Sequence, residues 1–274
     1  MSASASPEIG RSLQAGAILT NYHDQGSGRP VVLIHGSGPG VSAWANWRLN
    51  IGPLAEHFRV LAPDMAGFGF SERVPGITYD KALWVQQLLD FLDALGLDNV
   101  DLVGNSFGGG LALAFAIAHP SRVGKLVLMG SAGTKFPLTP GLDAVWGYQP
   151  SFESMRALLD IFAFNRALVN DELAELRYQA SIRPGFQESF SAMFPPPRQN
   201  GVDALASDET AIAALPHRAL IVHGREDRVI PPAASRQLFE LIPQAELHMF
   251  GQCGHWTQIE HTARFNQLVI DFLK

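Results

Sequence analysis

The sequence predicts an α/β fold built on a mostly parallel sheet, and three observations point there. Short apolar runs alternate with helical patterns through the first half of the chain and again near its end. These runs carry no polar face, as expected of strands covered on both sides. Between the two blocks, from Gly130 to about His217, helical patterns and turn residues occur without any such run.

Taken in order, Pro30–Ile34 reads as a buried strand ending at His35-Gly36, and Phe58–Ala62 as a second, stopped by Pro63-Asp64. Over Tyr79–Leu95, Leu83, Val85, Leu88, Leu89, Leu92 and Leu95 recur at helical spacing, with Gly96 placed as a C-cap. Val100–Val103 is a third strand, and a helix runs from Ser106 to about His119, where Pro120 closes it. Lys125–Met129 is a fourth strand. In the interruption, Ser151–Leu168 and Asp171–Ser181 read as helices, punctuated by Phe194-Pro-Pro-Pro197 and Asn200-Gly201. The sheet resumes with Arg218–Val222, then a helix (Ala233–Leu241), a strand (Glu246–Phe250) and a helix (Thr262–Leu273). A long helical insertion at that point of an α/β sheet is expected to cover an active site.

Composition removes several classes of partner. The 274 residues are 47% hydrophobic and 17% charged, with a net charge of −6 and no run of Lys or Arg. A surface that tracks phosphates needs clustered positive charge, so nucleic acid is not expected. The longest apolar stretch, Leu111–Ala118, is too short to span a bilayer. Met1–Glu8 has neither the basic nor the apolar region of a secretion signal. A single cysteine, Cys253, fits a reducing compartment. The expectation is a cytoplasmic protein without a membrane partner.

Gly104-Asn105-Ser106-Phe107-Gly108 matches G-x-S-x-G where a strand precedes it and a helix follows. The turn of an α/β-hydrolase nucleophile is so tight that only small residues fit two positions either side of the serine. The bland alternative, a glycine-rich turn with a capping serine, gains no support from the companions that follow. The hydrolase fold implies an eight-stranded sheet with a lid after the sixth strand. The expected division is a core at 1–133 and 214–274 and a helical lid at 134–213.

A serine hydroxyl needs a base to take its proton. His255 lies in Gly251-Gln-Cys-Gly-His255-Trp, a loop after the last strand, where open α/β sheets assemble their sites. His35 ends a strand and reads as structural; the remaining histidines sit in helices, strands or connections. The base needs an acid, and His223-Gly-Arg-Glu-Asp227 offers both Glu226 and Asp227 after the strand that resumes the sheet. Asp227 is taken as the acid of a Ser106, Asp227, His255 triad, in the chain order this fold uses. The oxyanion hole is expected from the amides of Phe107 and of Ser37 in His35-Gly-Ser-Gly38. Cys253 lacks a nucleophile turn and reads as packing. No residue spacing suggests a metal site, and no glycine motif implies a nucleotide cofactor.

At these residues the sequence resembles the meta-cleavage product hydrolases, which cut a carbon–carbon bond in ring-fission products of aromatic catabolism. The resemblance is carried by His35-Gly-Ser-Gly-Pro-Gly-Val-Ser-Ala-Trp-Ala-Asn-Trp-Arg48, Ala62-Pro-Asp-Met-Ala-Gly-Phe-Gly69 and Gly104-Asn-Ser-Phe-Gly-Gly109. Gly147-Tyr-Gln-Pro150, Leu176-Arg-Tyr-Gln-Ala-Ser-Ile-Arg-Pro-Gly185 and Gly251-Gln-Cys-Gly-His-Trp-Thr-Gln258 extend it through the insertion to the end. It implies a 2-hydroxy-6-oxo-hexa-2,4-dienoate substrate with a small acyl end, no cofactor, and a homodimer. Asn46, Asn105, Arg177 and Trp256 match positions that hold the carboxylate and dienol. Ala132, Trp146, Phe162, Val229 and Ile230 match positions that enclose the leaving acyl group. The resemblance also implies a reaction in two stages, protonation of the dienol at carbon five and then attack on the ketone by Ser106 or by a water it positions.

Two other readings compete. A carboxylesterase or lactonase would use the same triad without a carboxylate pocket, so Arg177 with Asn46 and Asn105 is the discriminating feature. A receptor on the same fold would bind without turnover, and assay of a yellow ring-fission product separates it. Dehalogenases of this fold need a carboxylate nucleophile, which Ser106 excludes.

Overall fold

A computed structural model describes residues 6–274. Met1–Ala5, with which the expected core unit begins, lie outside the described residues. Eight strands form one sheet: β1 (Arg11–Ala15), β2 (Ile18–Gln25), β3 (Pro30–Ile34), β4 (Arg59–Pro63), β5 (Val100–Asn105), β6 (Val123–Met129), β7 (Ala219–Gly224) and β8 (Ala245–Phe250). They lie in the order β1-β2-β4-β3-β5-β6-β7-β8. The pairs β1–β2 and β2–β4 are antiparallel, and the rest of the sheet is parallel.

Neighbouring residues of one strand enter two different cores. Val32, Ile34, Leu61, Leu102, Leu126, Leu128 and Ile221 face one core. Val31, Leu33, Val60, Ala62, Val103, Val127, Leu220 and Val222 face the other. With both faces dry the strands must be apolar throughout, which is why they lack alternation in the sequence. The two antiparallel strands that sequence reading did not locate differ in this respect. Most of β1 is exposed, and polar residues interrupt β2, so neither forms an apolar run.

The helices before the insertion are α1 (Ala43–Trp47), α2 (Ile51–Ala55), α3 (Lys81–Ala94) and α4 (Phe107–Ala118). The insertion holds α5 (Pro140–Trp146), α6 (Phe152–Phe162), α7 (Asp171–Ser181), α8 (Phe186–Met193), α9 (Gln199–Leu205) and α10 (Glu209–Ala213). After it come α11 (Pro232–Leu241), α12 (Thr257–Glu260) and α13 (Thr262–Leu273). Side-chain caps start several of them, from Asp80, Thr139, Ser151, Asn170 and Asp208. None of the described helices is long and apolar enough to cross a membrane.

The helix expected over Ser151–Leu168 is shorter, because tertiary contacts end it. After Phe162 the chain turns extended at Ala163, and a 3-10 turn occupies Arg166–Leu168. The Phe162 carbonyl accepts from the His255 amide at 2.7 Å, and the Asn165 amide donates to Glu260 Oε2 at 2.7 Å. Insertion and C-terminal loop are thereby joined.

His35 organises the loop that leaves β3. It is fully buried, its Nδ1 sits 2.8 Å from the Gly36 carbonyl, and its Nε2 accepts from the Met65 amide at 3.0 Å. Nδ1 therefore carries the single proton. Burial pushes this imidazole down from 6.5 to about 4, against a smaller upward pull from the Gly36 carbonyl. The unfolded chain binds the proton more readily, so this group costs stability as pH falls from 6.5 toward 4. His35→Gln should flatten that dependence: between pH 7 and 4.5, urea unfolding should show the variant losing about 2 kcal/mol less stability than the parent. Parallel losses in the two proteins would contradict a neutral buried His35.

Candidate active site

The chain leaves β5 and enters α4 within one residue. Ser106 takes φ 56° and ψ −116°, a conformation costly for any residue with a side chain. A Cβ at Gly104 would run into the backbone of Gly108 and Gly109, and one at Gly108 into the carbonyls of Ile34 and His35. These are the two positions at which the motif demands small residues. The turn is held by the Ser106 amide donating to the Met129 carbonyl at 2.8 Å. Its own carbonyl accepts from Gly109, Gly110 and Ala132.

Ser106 and His255 line one cavity with Gly36, Ser37, Asn46, Asn105, Phe162, Arg177, Val229 and Trp256. The Ser106 hydroxyl makes no hydrogen bond to His255, as in many sites without substrate. His255 Nδ1 lies 2.7 Å from Asp227 Oδ2, behind the cavity wall. Asp227 Oδ1 accepts from the amides of Val229 (2.7 Å) and Ile230 (3.0 Å). Burial would raise this carboxyl, but the charges and hydrogen bonds of His255 and His223 outweigh it and hold Asp227 far below the usual carboxylate range.

Glu226, the other candidate acid, points elsewhere. It accepts from the Cys253 amide at 3.0 Å and pairs with Arg225, so it ties down the loop that carries His255. Cys253 is buried against Thr257 and the Gly254 carbonyl; burial pushes its thiol up to about 12, which removes it as a nucleophile.

The amides of Ser37 and Phe107 donate to no other described residue, and both residues are buried. Phe107 opens α4, so its amide is one of the unpaired donors of a helix N-terminus. Trp146 Nε1 donates to Ser37 Oγ at 3.0 Å and steadies the loop bearing the other amide.

The polar wall is a connected pair of amides with two loose ends. Asn46 Oδ1 accepts from the Gly36 amide (3.1 Å) and from Asn105 Nδ2 (3.0 Å), which fixes both side-chain orientations. Asn46 Nδ2 and Asn105 Oδ1 are left buried without a partner. Such atoms cost about 1–3 kcal/mol each and point to a ligand group. Arg177 forms no hydrogen bond or ion pair with any described residue. Burial, and secondarily the nearby Arg48 and Arg183, push its guanidinium down to about 10, against Glu8. An unpaired forked cation beside an orphaned donor and an orphaned acceptor suits a planar organic carboxylate.

The apolar wall includes two of the expected residues. Phe162 and Val229 line the cavity, and Trp256 stacks on Phe162 at 5.0 Å. Ala132, Trp146 and Ile230 do not line it: Ala132 bonds to the turn, Trp146 to Ser37, and the Ile230 amide to Asp227. Leu142, Val145, Met155 and Leu159 also line the cavity. Met155, Leu159 and Phe162 share one face of α6, so helical periodicity held a signal for them.

A profile of the α/β-hydrolase fold family matches residues 29–262. The 2-hydroxymuconate semialdehyde hydrolase of Pseudomonas sp. strain CF600 is 66% identical over 268 residues, covering 98% of this chain and 95% of that protein. The 2-hydroxy-6-oxo-2,4-heptadienoate hydrolase of Pseudomonas putida F1 is 61% identical, covering 97% and 96%. Among solved structures, the meta-cleavage product hydrolase of Pseudomonas fluorescens IP01 superposes with a TM-score of 0.96 at 60% identity, over 97% of this chain and 98% of that one. The chain belongs to the α/β-hydrolase fold family and, within it, to the meta-cleavage product hydrolases.

Proposed function

We propose that this protein hydrolyses the carbon–carbon bond of 2-hydroxy-6-oxo-hexa-2,4-dienoates with a small acyl end, giving 2-hydroxypenta-2,4-dienoate and a short carboxylic acid. The observation that carries this reading is the unpaired Arg177 on the same cavity as Ser106 and His255, beside the loose ends of Asn46 and Asn105. An esterase for neutral substrates would have no use for a half-buried guanidinium on the cavity that no described residue pairs with. The two Pseudomonas relatives, named for a semialdehyde and for a heptadienoate, support the substrate class and its small acyl end.

In this reading Arg177 meets the carboxylate through its fork, and Asn46 and Asn105 meet the 2-hydroxy group. The dienol takes a proton at carbon five, with His255 as the shuttle, and becomes a ketone. Ser106, or water beside it, then attacks the carbonyl while His255 takes the proton and Asp227 supports the imidazolium. The amides of Ser37 and Phe107 hold the oxyanion. Collapse breaks the carbon–carbon bond, and the electron pair leaves on the dienol fragment; one water is consumed overall. Residues 134–213 act as the lid, since α5, α6 and α7 supply Leu142, Val145, Met155, Leu159, Phe162 and Arg177 to the wall.

Four variants test the assignment. Ser106→Ala should fold normally and lose at least about a thousandfold in turnover of a yellow ring-fission product, followed as loss of visible absorbance. Retention of a tenth or more of the activity would remove Ser106 from its role. Asp227→Asn should be severely impaired, whereas Glu226→Gln, which can still accept from Cys253, should stay within about threefold of the parent. The opposite order would move the acid to Glu226. Arg177→Ala should cost about 2 kcal/mol or more in kcat/KM for the dienoate, and much less for p-nitrophenyl acetate. Equal losses on both substrates would make Arg177 structural and return the protein to the esterases.

A further inference from the structure

Asp227 Oδ2 faces two imidazoles. Besides His255 Nδ1, His223 Nε2 lies 3.1 Å away. His223 is the fifth residue of β7 and is fully buried, as is Ser235 on α11. His223 Nε2 is also 3.0 Å from the Ile230 carbonyl, and its Nδ1 is 2.6 Å from Ser235 Oγ. Nε2 thus sees two acceptors and no donor, so it carries the proton. In the neutral ring Nδ1 is then an acceptor, and the Ser235 hydroxyl donates to it.

We infer that His223, with its tautomer set by Ser235, is a positioning residue that holds the acid of the triad and limits how strongly that acid supports His255. The inference rests on the reading of Asp227 and His255 as catalytic partners of Ser106. Four donors surround the carboxylate: two amides on Oδ1, and two imidazoles on Oδ2. Three hydrogen bonds and the close His223 contact engage both oxygens, so Asp227 can neither rotate nor take up a proton without disturbing them. The His223 Nε2–H, shared between the Ile230 carbonyl and Asp227 Oδ2, draws electron density from the oxygen that His255 uses. Losing it leaves that oxygen more basic, so the imidazolium opposite is better stabilised and the catalytic base is neutral only at higher pH.

The other charged groups around the pair are engaged elsewhere. On the same turn, Arg225 pairs with Glu226, and the Arg228 guanidinium donates to the Asp160 carbonyl on α6. On α12, Glu260 accepts from the Gly254 and Asn165 amides. At the end of β6 Gly130 approaches both Asp227 and His255 and brings no charge, and the nearby Cys253 thiol, pushed up to about 12, stays neutral.

The test is the pH dependence of kcat/KM on the dienoate. His223→Phe should lower the plateau about tenfold and move the acid limb up by about one pH unit. His223→Gln, whose amide can still donate toward Oδ2, should bring the limb back to that of the parent. Ser235→Ala, which frees the tautomer, should move it in the same direction by less. A lowered plateau with an unmoved acid limb in His223→Phe would make His223 structural only and overturn the inference. Nitrogen-15 NMR of the intact protein is independent of variant folding: it should find His223 protonated at Nε2 and not at Nδ1, and the other tautomer would overturn the inference as well. Asp227→Asn serves as the outer control. If that variant kept its activity the triad itself would fall, whereas an inactive Asp227→Asn beside an unmoved limb in His223→Phe would remove only the role of His223.

Discussion

The close approach of the first turn of α4 to the end of β3, with no side chain between them, is the constraint on which the site depends. Gly108 would strike the Ile34 and His35 carbonyls if it carried a Cβ, and Gly104 would strike the helix from the other side. Because the gap is closed, the strained Ser106 stands over the loop that follows β3, and the Ser37 amide comes to the same cavity as the serine. The strain is sustained by regular structure on both sides, since Met129 at the end of β6 accepts the Ser106 amide. His35 then belongs to the same construction: its two ring nitrogens span the loops after β3 and β4 and leave no slack where the oxyanion loop begins.

What was legible in the sequence follows from this physics. The parallel strands are dry on both faces, so their apolar runs announce them, and the glycines around Ser106 announce a turn that admits no bulk. The strands β1 and β2 escaped because an antiparallel edge is half exposed and its residues need not be apolar. The polar members Asn46, Asn105 and Arg177 were legible only through the family resemblance; what the structure adds is that Asn46 Nδ2 and Asn105 Oδ1 are left without partners among the described residues. Apolar members were legible only in part, through Phe162 and Val229. Trp146 and Ile230 are as hydrophobic as Leu142 and Met155, and only the three-dimensional course of α5 and α6 separates those that touch the cavity from those that brace Ser37 and Asp227. The end of α6 was equally hidden, because a carbonyl captured by a residue about ninety positions away leaves no local mark.

The cavity is electrostatically unfinished. Arg177 lies beside Arg48 and Arg183 with Glu8 as the one acid that offsets them, and two amide groups of the wall stay unsatisfied. Each of these features lowers the stability of the free protein, and under the proposed function each would be relieved by the same guest, a carboxylate carrying a neighbouring hydroxyl. The acid end is the reverse case. Asp227 is saturated with donors and rigid, so the site combines a finished catalytic side with an unfinished binding side.

Two threads tie the insertion to this machinery, one on each side of Ser106. Trp146 of α5 holds Ser37 through its indole nitrogen, and the last carbonyl of α6, on Phe162, holds the His255 amide. Drawing these helices back to admit a guest would slacken both the loop that receives the oxyanion and the loop that carries the base. The protein would then be armed only when shut. A stray ester that brushed such an opened cavity would meet an unprimed serine, whereas under the proposed function a dienoate held by Arg177 on α7 would favour the closed arrangement. Discrimination in such a device comes from timing as much as from shape.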